Sequence, residues 1–354
     1  MNRSLSPRAQ LPALFLLFFV FFFALSASHA SAHEVYVLSP QAIHADITNP
    51  SPDPLLLVGS DTDEFAIWAF MGALLVGAIL LISISRKIEK LCDPFLFKLK
   101  KWAPLVARLT LGGSLLASGI YNALFGPELP LDTLFGPWGI YVRAILILGG
   151  ICIVLGLFVR TWASVMLVVY IVAASLLDNY ILTYLNYFGE IVLSIVLGVG
   201  ALSLDRAIFK PKNRGWVHAF AQRFERYSFA VNRVCFGVAA LWASWYAKLI
   251  HSNLALDTVN QYHLTNYFHF TPLFLVLGAL LVESAIGIFF ILGFEVRFTA
   301  LVFLVFLTLS LSFFGEAVWP HLILLGLCLT MIMHGYDKYS IEGRFVKNGR
   351  EPVL

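Results

Sequence analysis

Apolar runs of about 20 residues, parted by short polar connections, occupy most of this chain, and a helix needs about that length to cross the hydrocarbon core of a bilayer. From residue 64 onward the pattern predicts nine such spans, at 64–85, 103–125, 138–158, 161–177, 181–204, 228–250, 272–294, 296–314 and 317–335. The expected fold class is all-α, a polytopic membrane protein. Ahead of the first span, Arg3 and Arg8 precede a short apolar run at 14–25, and Ala30-Ser31-Ala32 follows. A positive start, a short apolar core and small residues together make residues 1–32 a secretory signal peptide. Residues 33–63, with Pro40, Pro50, Pro52 and Pro54, are too few to build a core of their own. They predict an extended exported segment with one short strand at 35–38.

Charge then orients the helices. The cytoplasmic loop expected at 86–102 carries six basic residues, Arg86, Lys87, Lys90, Lys98, Lys100 and Lys101. The linker at 205–227 carries another six, Arg206, Lys210, Lys212, Arg214, Arg223 and Arg226, and the tail at 341–354 adds Arg344, Lys347 and Arg350. The connections 126–137, 178–180, 251–271 and 315–316 have no Lys or Arg. Because Lys and Arg concentrate on the cytoplasmic side, the mature N-terminus is expected outside and the C-terminus inside. Composition agrees: 59% of residues are hydrophobic, mean hydropathy is +0.82, and 13% are charged against about 25% in soluble domains. The four cysteines form no C-x-x-C pair, no phosphate loop or nucleophile elbow is present, and no nucleic-acid partner is expected.

The apolar pattern also repeats. VLGLFVRTWA at 154–163 returns as ILGFEVRFTA at 291–300, each between two apolar runs, so each reads as a tight hairpin. Upstream, Arg108, Gly112, Tyr121 and Leu124 return as Arg233, Gly237, Tyr246 and Leu249, 125 positions later. Downstream, Asp205-Arg206 is matched with Asp337-Lys338. Ordered matches of this kind predict an internal repeat: two tandem four-helix units at 103–204 and 228–340, plus one extra N-terminal span.

Charged residues at membrane depth are costly and so point to function. Glu283 lies 11 residues beyond Pro272, Glu190 about nine residues into its span, Arg143 one to two turns below the outer surface, and His321 at the start of the last helix. They are candidates to line an internal polar site. The hairpin and interface arginines Arg108, Arg160, Arg233 and Arg297 read as structural, with Arg108 and Arg233 snorkelling to lipid phosphates. The connection at 251–270, with His251, His263 and His269, lacks a zinc-type spacing and reads as an aromatic lid. Cleavage after Ala32 would leave His33 as an amino-terminal candidate for copper.

A unit that opens R-x-x-x-G, places Y-x-x-L near its far end, turns through LG-x-x-V-R and closes on Asp resembles the DoxX family. The residues are Arg108, Gly112, Tyr121, Leu124, Leu155, Gly156, Val159, Arg160 and Asp205, and again Arg233 through Asp337. The resemblance implies a prokaryotic plasma-membrane protein linked to redox metabolism, with redox-enzyme subunits as partners and quinone as a possible cofactor. It brings no catalytic motif. Three readings stay open: a membrane subunit of a quinone-linked or thiol redox system, a transporter or channel using intramembrane carboxylates, and an assembly or copper-handling protein.

Overall fold

The computed structural model describes residues 38, 40–59, 64–198, 202–208, 216–314 and 318–346. The signal peptide, His33, residues 209–215 of the linker and the tail from 347 lie outside them. Every element among the described residues is helical. Six helical runs are long and apolar enough to cross a membrane, and a seventh does so if a bent pair counts as one span, so the fold is that of a multi-pass membrane protein.

The described part of residues 38–59 folds where an extended chain was expected. Helix α1 (Pro40–Thr48) starts on a proline, which suits the first helical turn. Its apolar Ala42, Ile43 and Ile47, with Leu38, pack on Ala247 and Leu254. That tertiary contact is what a nine-residue helix needs in order to form. Ser252 and Asn253 donate side-chain hydrogen bonds to the carbonyls of Pro52 and Pro50.

Helix α2 (Glu64–Lys100) runs for 37 residues, about 55 Å at 1.5 Å per residue, well beyond the roughly 30 Å hydrocarbon core. The basic stretch at 86–100 is therefore helix, where a loop was expected. Asp93 on this extension pairs with Arg297 and holds it to the bundle.

The bundle proper comprises α3 (Ala103–Ile120), the short α4 (Leu131–Phe135), α5 (Gly139–Leu155), α6 (Val159–Leu177), α7 (Leu185–Leu197), α8 (Leu204–Ile208), α9 (Trp216–Trp245), α10 (Ser252–Gln261), α11 (Pro272–Leu292), α12 (Val296–Phe314) and α13 (Val318–His334). By length, 159–197 is one apolar run of 39 residues. It nevertheless folds back: Tyr170 stacks within 5.6 Å of Phe188, and the Arg160 guanidinium reaches the Val196 carbonyl at 3.2 Å, contacts a straight rod could not make. The reversal occurs at Asp178, φ +46°. At 13 and 17 residues, α7 and α13 are shorter than the spans expected there.

Packing follows the small residues. α3 lies against α5 because Gly112 and Gly150 let the backbones meet, and a Cβ on Gly112 would come within 3.0 Å of the Gly150 carbonyl. α9 and α11 meet through Gly237 and Gly287 in the same way, with 2.7 Å left for a Cβ. Two further junctions join the halves: Gly189 of α7 sits on Asn232 and Cys235 of α9, and Gly326 of α13 sits on Thr110 of α3.

Both hairpins turn through left-handed glycines, Gly156 at φ +71° and Gly293 at φ +67°. Asp205 accepts from the Phe158 N–H at 2.9 Å, and Glu342 accepts from the Val296 N–H at 3.0 Å. The acid that closes the second hairpin is thus Glu342, 137 positions after Asp205. Asp337, matched to Asp205 by sequence, instead pairs with Arg233 at 2.9 Å.

The arginines satisfy backbone carbonyls. Arg108 donates to the Leu202 carbonyl at 2.6 Å, Arg233 to the Ile291 carbonyl at 2.9 Å, and Arg297 to the Ile332 carbonyl at 3.1 Å. Arg108 and Arg233 are 2% exposed, so they do not snorkel. Arg233 and Arg297 satisfy carbonyls that a helix end leaves without an intrahelical partner, while Arg108 satisfies one in the connection before α8.

Candidate functional site

The site begins where α9 ends. After Trp245 the backbone makes a single π turn (Tyr246–Ile250) and then bends by 82° into α10. A π turn of this kind re-aims side chains and occurs often at functional sites. Here it carries Lys248, 3.0 Å from the carboxylate of Glu283 on α11. The indole of Trp245 holds the neighbouring turn by donating to the Ser284 hydroxyl at 3.0 Å.

Lys248 and Glu283 line a cavity of 390 Å³, within the roughly 300–1,000 Å³ of small-molecule pockets. Ala239, Ala240 and Ala243 leave the room on the α9 side, and Leu275, Val276 and Ala279 form the α11 wall. Phe303, Phe306 and Leu307 of α12 and His321 and Leu324 of α13 close the opposite side. One face of α10, with Ala255, Thr258 and Val259, covers one end together with Leu264 and Phe268. The connection at 251–270 thus contributes wall to the cavity, mainly as helix. Phe306 is 38% exposed midway along α12, and Phe268 is 54% exposed, so both lining residues also form part of the bundle surface.

Chemically the site joins apolar walls to a few convergent polar groups. Lys248 and Glu283 are 4% and 15% exposed and cancel in charge, so the cavity is electrically near neutral while keeping strong hydrogen-bonding groups. His321, Thr258 and Ser310 add side chains that can donate or accept.

Of the residues singled out by sequence, Glu283 and His321 share this cavity; Glu190 and Arg143 do not line it. The exposed Arg143 donates through Nε to the Gly119 carbonyl at 3.0 Å, capping α3. Glu190 is fully buried on α7, and neither carboxylate oxygen has a hydrogen-bond partner. Lys248 escapes sequence reasoning because a lysine two residues from the end of an expected span reads as an interfacial anchor. The signal lay in the 125-residue offset, which aligns it with Ala123, a position without charge in the first half.

Three His, Cys, Asp or Glu side chains nowhere gather into a metal-sized group among the described residues, and His33 lies outside them. Set against protein-family models, curated proteins and solved structures, the chain finds no match.

Proposed function

We propose that this chain is a DoxX-like membrane protein of two like-oriented four-helix repeats, whose second unit binds a small, largely apolar molecule with an uncharged hydrogen-bonding head. The observation that carries the reading is the charge-neutral Lys248–Glu283 pair inside an apolar cavity whose wall includes the partly exposed Phe306. A molecule dissolved in lipid could enter there without crossing water. In the DoxX-like reading the ligand is a quinone and the protein is the membrane subunit of a redox system in the prokaryotic plasma membrane.

The residues present fit such a group. Quinone carbonyls accept hydrogen bonds, which Lys248 and His321 can supply, while the α11 and α12 walls suit a ring and tail. A bound quinone would supply two-electron chemistry. The chain's own residues bind and orient the head, exclude water and, through Glu283, offer a proton acceptor; electrons would come from a partner subunit.

Supporting the repeat is the constant offset of 137 that relates Gly156 to Gly293, Arg160 to Arg297, Gly198 to Gly335 and Ser203 to Ser340, each in matching surroundings. With the arginine ends in the cytoplasm and α1 and α10 outside, nine spans satisfy the charge asymmetry. The test is thermal unfolding of protein in nanodiscs with a short-tailed quinone. A saturable rise in Tm, lost in Lys248→Met/Glu283→Gln, is expected; an unchanged Tm at saturating quinone overturns the proposal.

The transporter reading has one observation in its favour, the broken helix pair beside an ionisable couple, an arrangement transporters use at substrate sites. Solute flux into proteoliposomes that stops in Glu283→Gln would select it.

A further inference from the structure

We propose a second site, distinct from the cavity ligand's, in which Glu190, Asn186 and Asn232 hold a small monovalent cation, a proton or Na⁺, at the α7–α9 junction. Glu190 and Asn232 are wholly buried and Asn186 is 2% exposed. Both oxygens of Glu190, the Asn186 amide oxygen and both amide atoms of Asn232 lie buried with no hydrogen-bond partner. Asn186 and Glu190 stand four residues apart on one buried face of α7. Between them Gly189 meets Asn232, whose Oδ1 would be 2.7 Å from a Cβ there. Buried polar groups left unmatched each cost free energy, so three together at one junction call for something that binds them all.

The matching junction shows that the fold does not need them. Where Gly326 meets Thr110, the positions equivalent to Asn186, Glu190 and Asn232 are Ile323, Leu327 and Ala107, all buried at 1% exposure or less. One junction is sealed with hydrocarbon; its counterpart carries a carboxylate and two amides. Supplying a fixed negative charge, Glu190 is the group a cation would neutralise, and the amide oxygens are hard ligands suited to Na⁺. Beyond the start of α9 at 216–227, ionisable groups on the elements packed against α7 are Tyr187 on its own helix, Arg233 and Cys235 on α9, Arg160 and Tyr170 on α6, Asp178, Tyr180 and Tyr184 before α7, His321, Cys328 and His334 on α13, and Arg108 on α3; Arg160 is engaged with the Val196 carbonyl and Arg233 with Asp337. Arg108 is engaged at the far end with the Leu202 carbonyl. No ion pair among the described residues involves Glu190. Asn186 also lines the cavity, so the cation site adjoins the cavity wall there.

The test uses the full chain in detergent and reads Tm, first against NaCl at constant ionic strength made up with choline chloride, then against pH without Na⁺. The comparison variant is Asn186→Ile/Glu190→Leu/Asn232→Ala, which copies the sealed junction and should therefore fold. A Na⁺-dependent rise in the wild type, absent from the variant, identifies Na⁺; a pH dependence absent from the variant, without a Na⁺ effect, identifies the proton. Identical Na⁺ and pH profiles for the two proteins overturn the proposal. Glu190→Asp, keeping the carboxylate on a shorter stem, should shift the midpoint of whichever profile responds.

Discussion

Removing either partner of the Lys248–Glu283 pair should cost far more than removing both. At 3.0 Å the two charges attract by about 5 kcal/mol for an effective dielectric constant near 20, and desolvating them offsets much of that. Deleting one partner leaves the other charge buried without compensation, which typically costs about 3–5 kcal/mol, whereas replacing both by apolar or neutral groups is often close to neutral. We therefore expect a coupling of at least about 2 kcal/mol between Lys248→Met and Glu283→Gln, against an average of about 0.6 kcal/mol for interhelical hydrogen bonds in membrane proteins. Reversible unfolding in mixed micelles of the wild type, both single variants and the double variant closes the cycle. A coupling at or below about 0.6 kcal/mol would show that the pair is solvated, and the dry-cavity argument would fail with it.

Other consequences can be checked in the same preparation. Gly156→Ala should lose about 1–3 kcal/mol, because alanine is strained at φ +71° and its Cβ would stand 2.6 Å from that of Ser203; Ser203→Gly should recover only the steric part, as read by Tm. Arg233→Gln, which strands Asp337 and the Ile291 carbonyl, should cost about 3–5 kcal/mol, while Arg143→Gln, an exposed cap, should cost about 1 kcal/mol or less. Burial, and then the charge of Asp257 on α10, hold the Asp46 carboxyl above its usual range. A raised carboxyl favours folding below its unfolded pKa and loses that contribution as pH rises through the folded one, so α1 should dock more tightly in acid. Hydrogen exchange of α1 amides should slow as pH falls, after correction for intrinsic rates, and Asp46→Asn should flatten that dependence.

Apolar run length and glycine punctuation carried most of the architecture in readable form. The Leu-Gly-x-x-Val-Arg hairpins turn where their glycines permit a left-handed residue, and runs near 20 residues became helices. Tertiary partners decided the rest. The 86–100 stretch reads as a loop because lysines cluster there, yet it stays helical since Asp93 meets Arg297 across 204 positions. Residues 40–54 are proline-rich, yet α1 forms because Ala247 and Leu254 offer it an apolar seat. In the site, Glu283 and His321 were legible as charged or polar residues in apolar surroundings. Arg143 was legible in the same sense but serves a helix end, since composition cannot tell a cap from a ligand. Lys248 was hidden because its direction depends on a π turn, and nothing in local sequence announces one.

Under the proposed repeat the two units differ in how their interiors are filled around this cavity, and that difference can be tested. At the offset of 137, Tyr170, Tyr184 and Tyr187 of the first half correspond to Leu307, His321 and Leu324 of the second. In the first half the three tyrosines surround Phe125, with ring centroids 5.9, 5.6 and 4.3 Å away, and Tyr184 and Tyr187 also form the first-half wall of the cavity. Their counterparts are smaller and all line the 390 Å³ cavity. Leu146, fully buried in the first half, corresponds to Glu283, so the polar group appears where the aromatic filling is missing. Copying the filled half by Leu307→Tyr and Leu324→Tyr should therefore occupy the cavity with rings. Added packing should hold or raise Tm in the absence of ligand, while the quinone-induced rise in Tm should disappear. A variant that keeps the full ligand response would place the bound molecule elsewhere, and a variant that unfolds would show that the halves are not interchangeable at these positions.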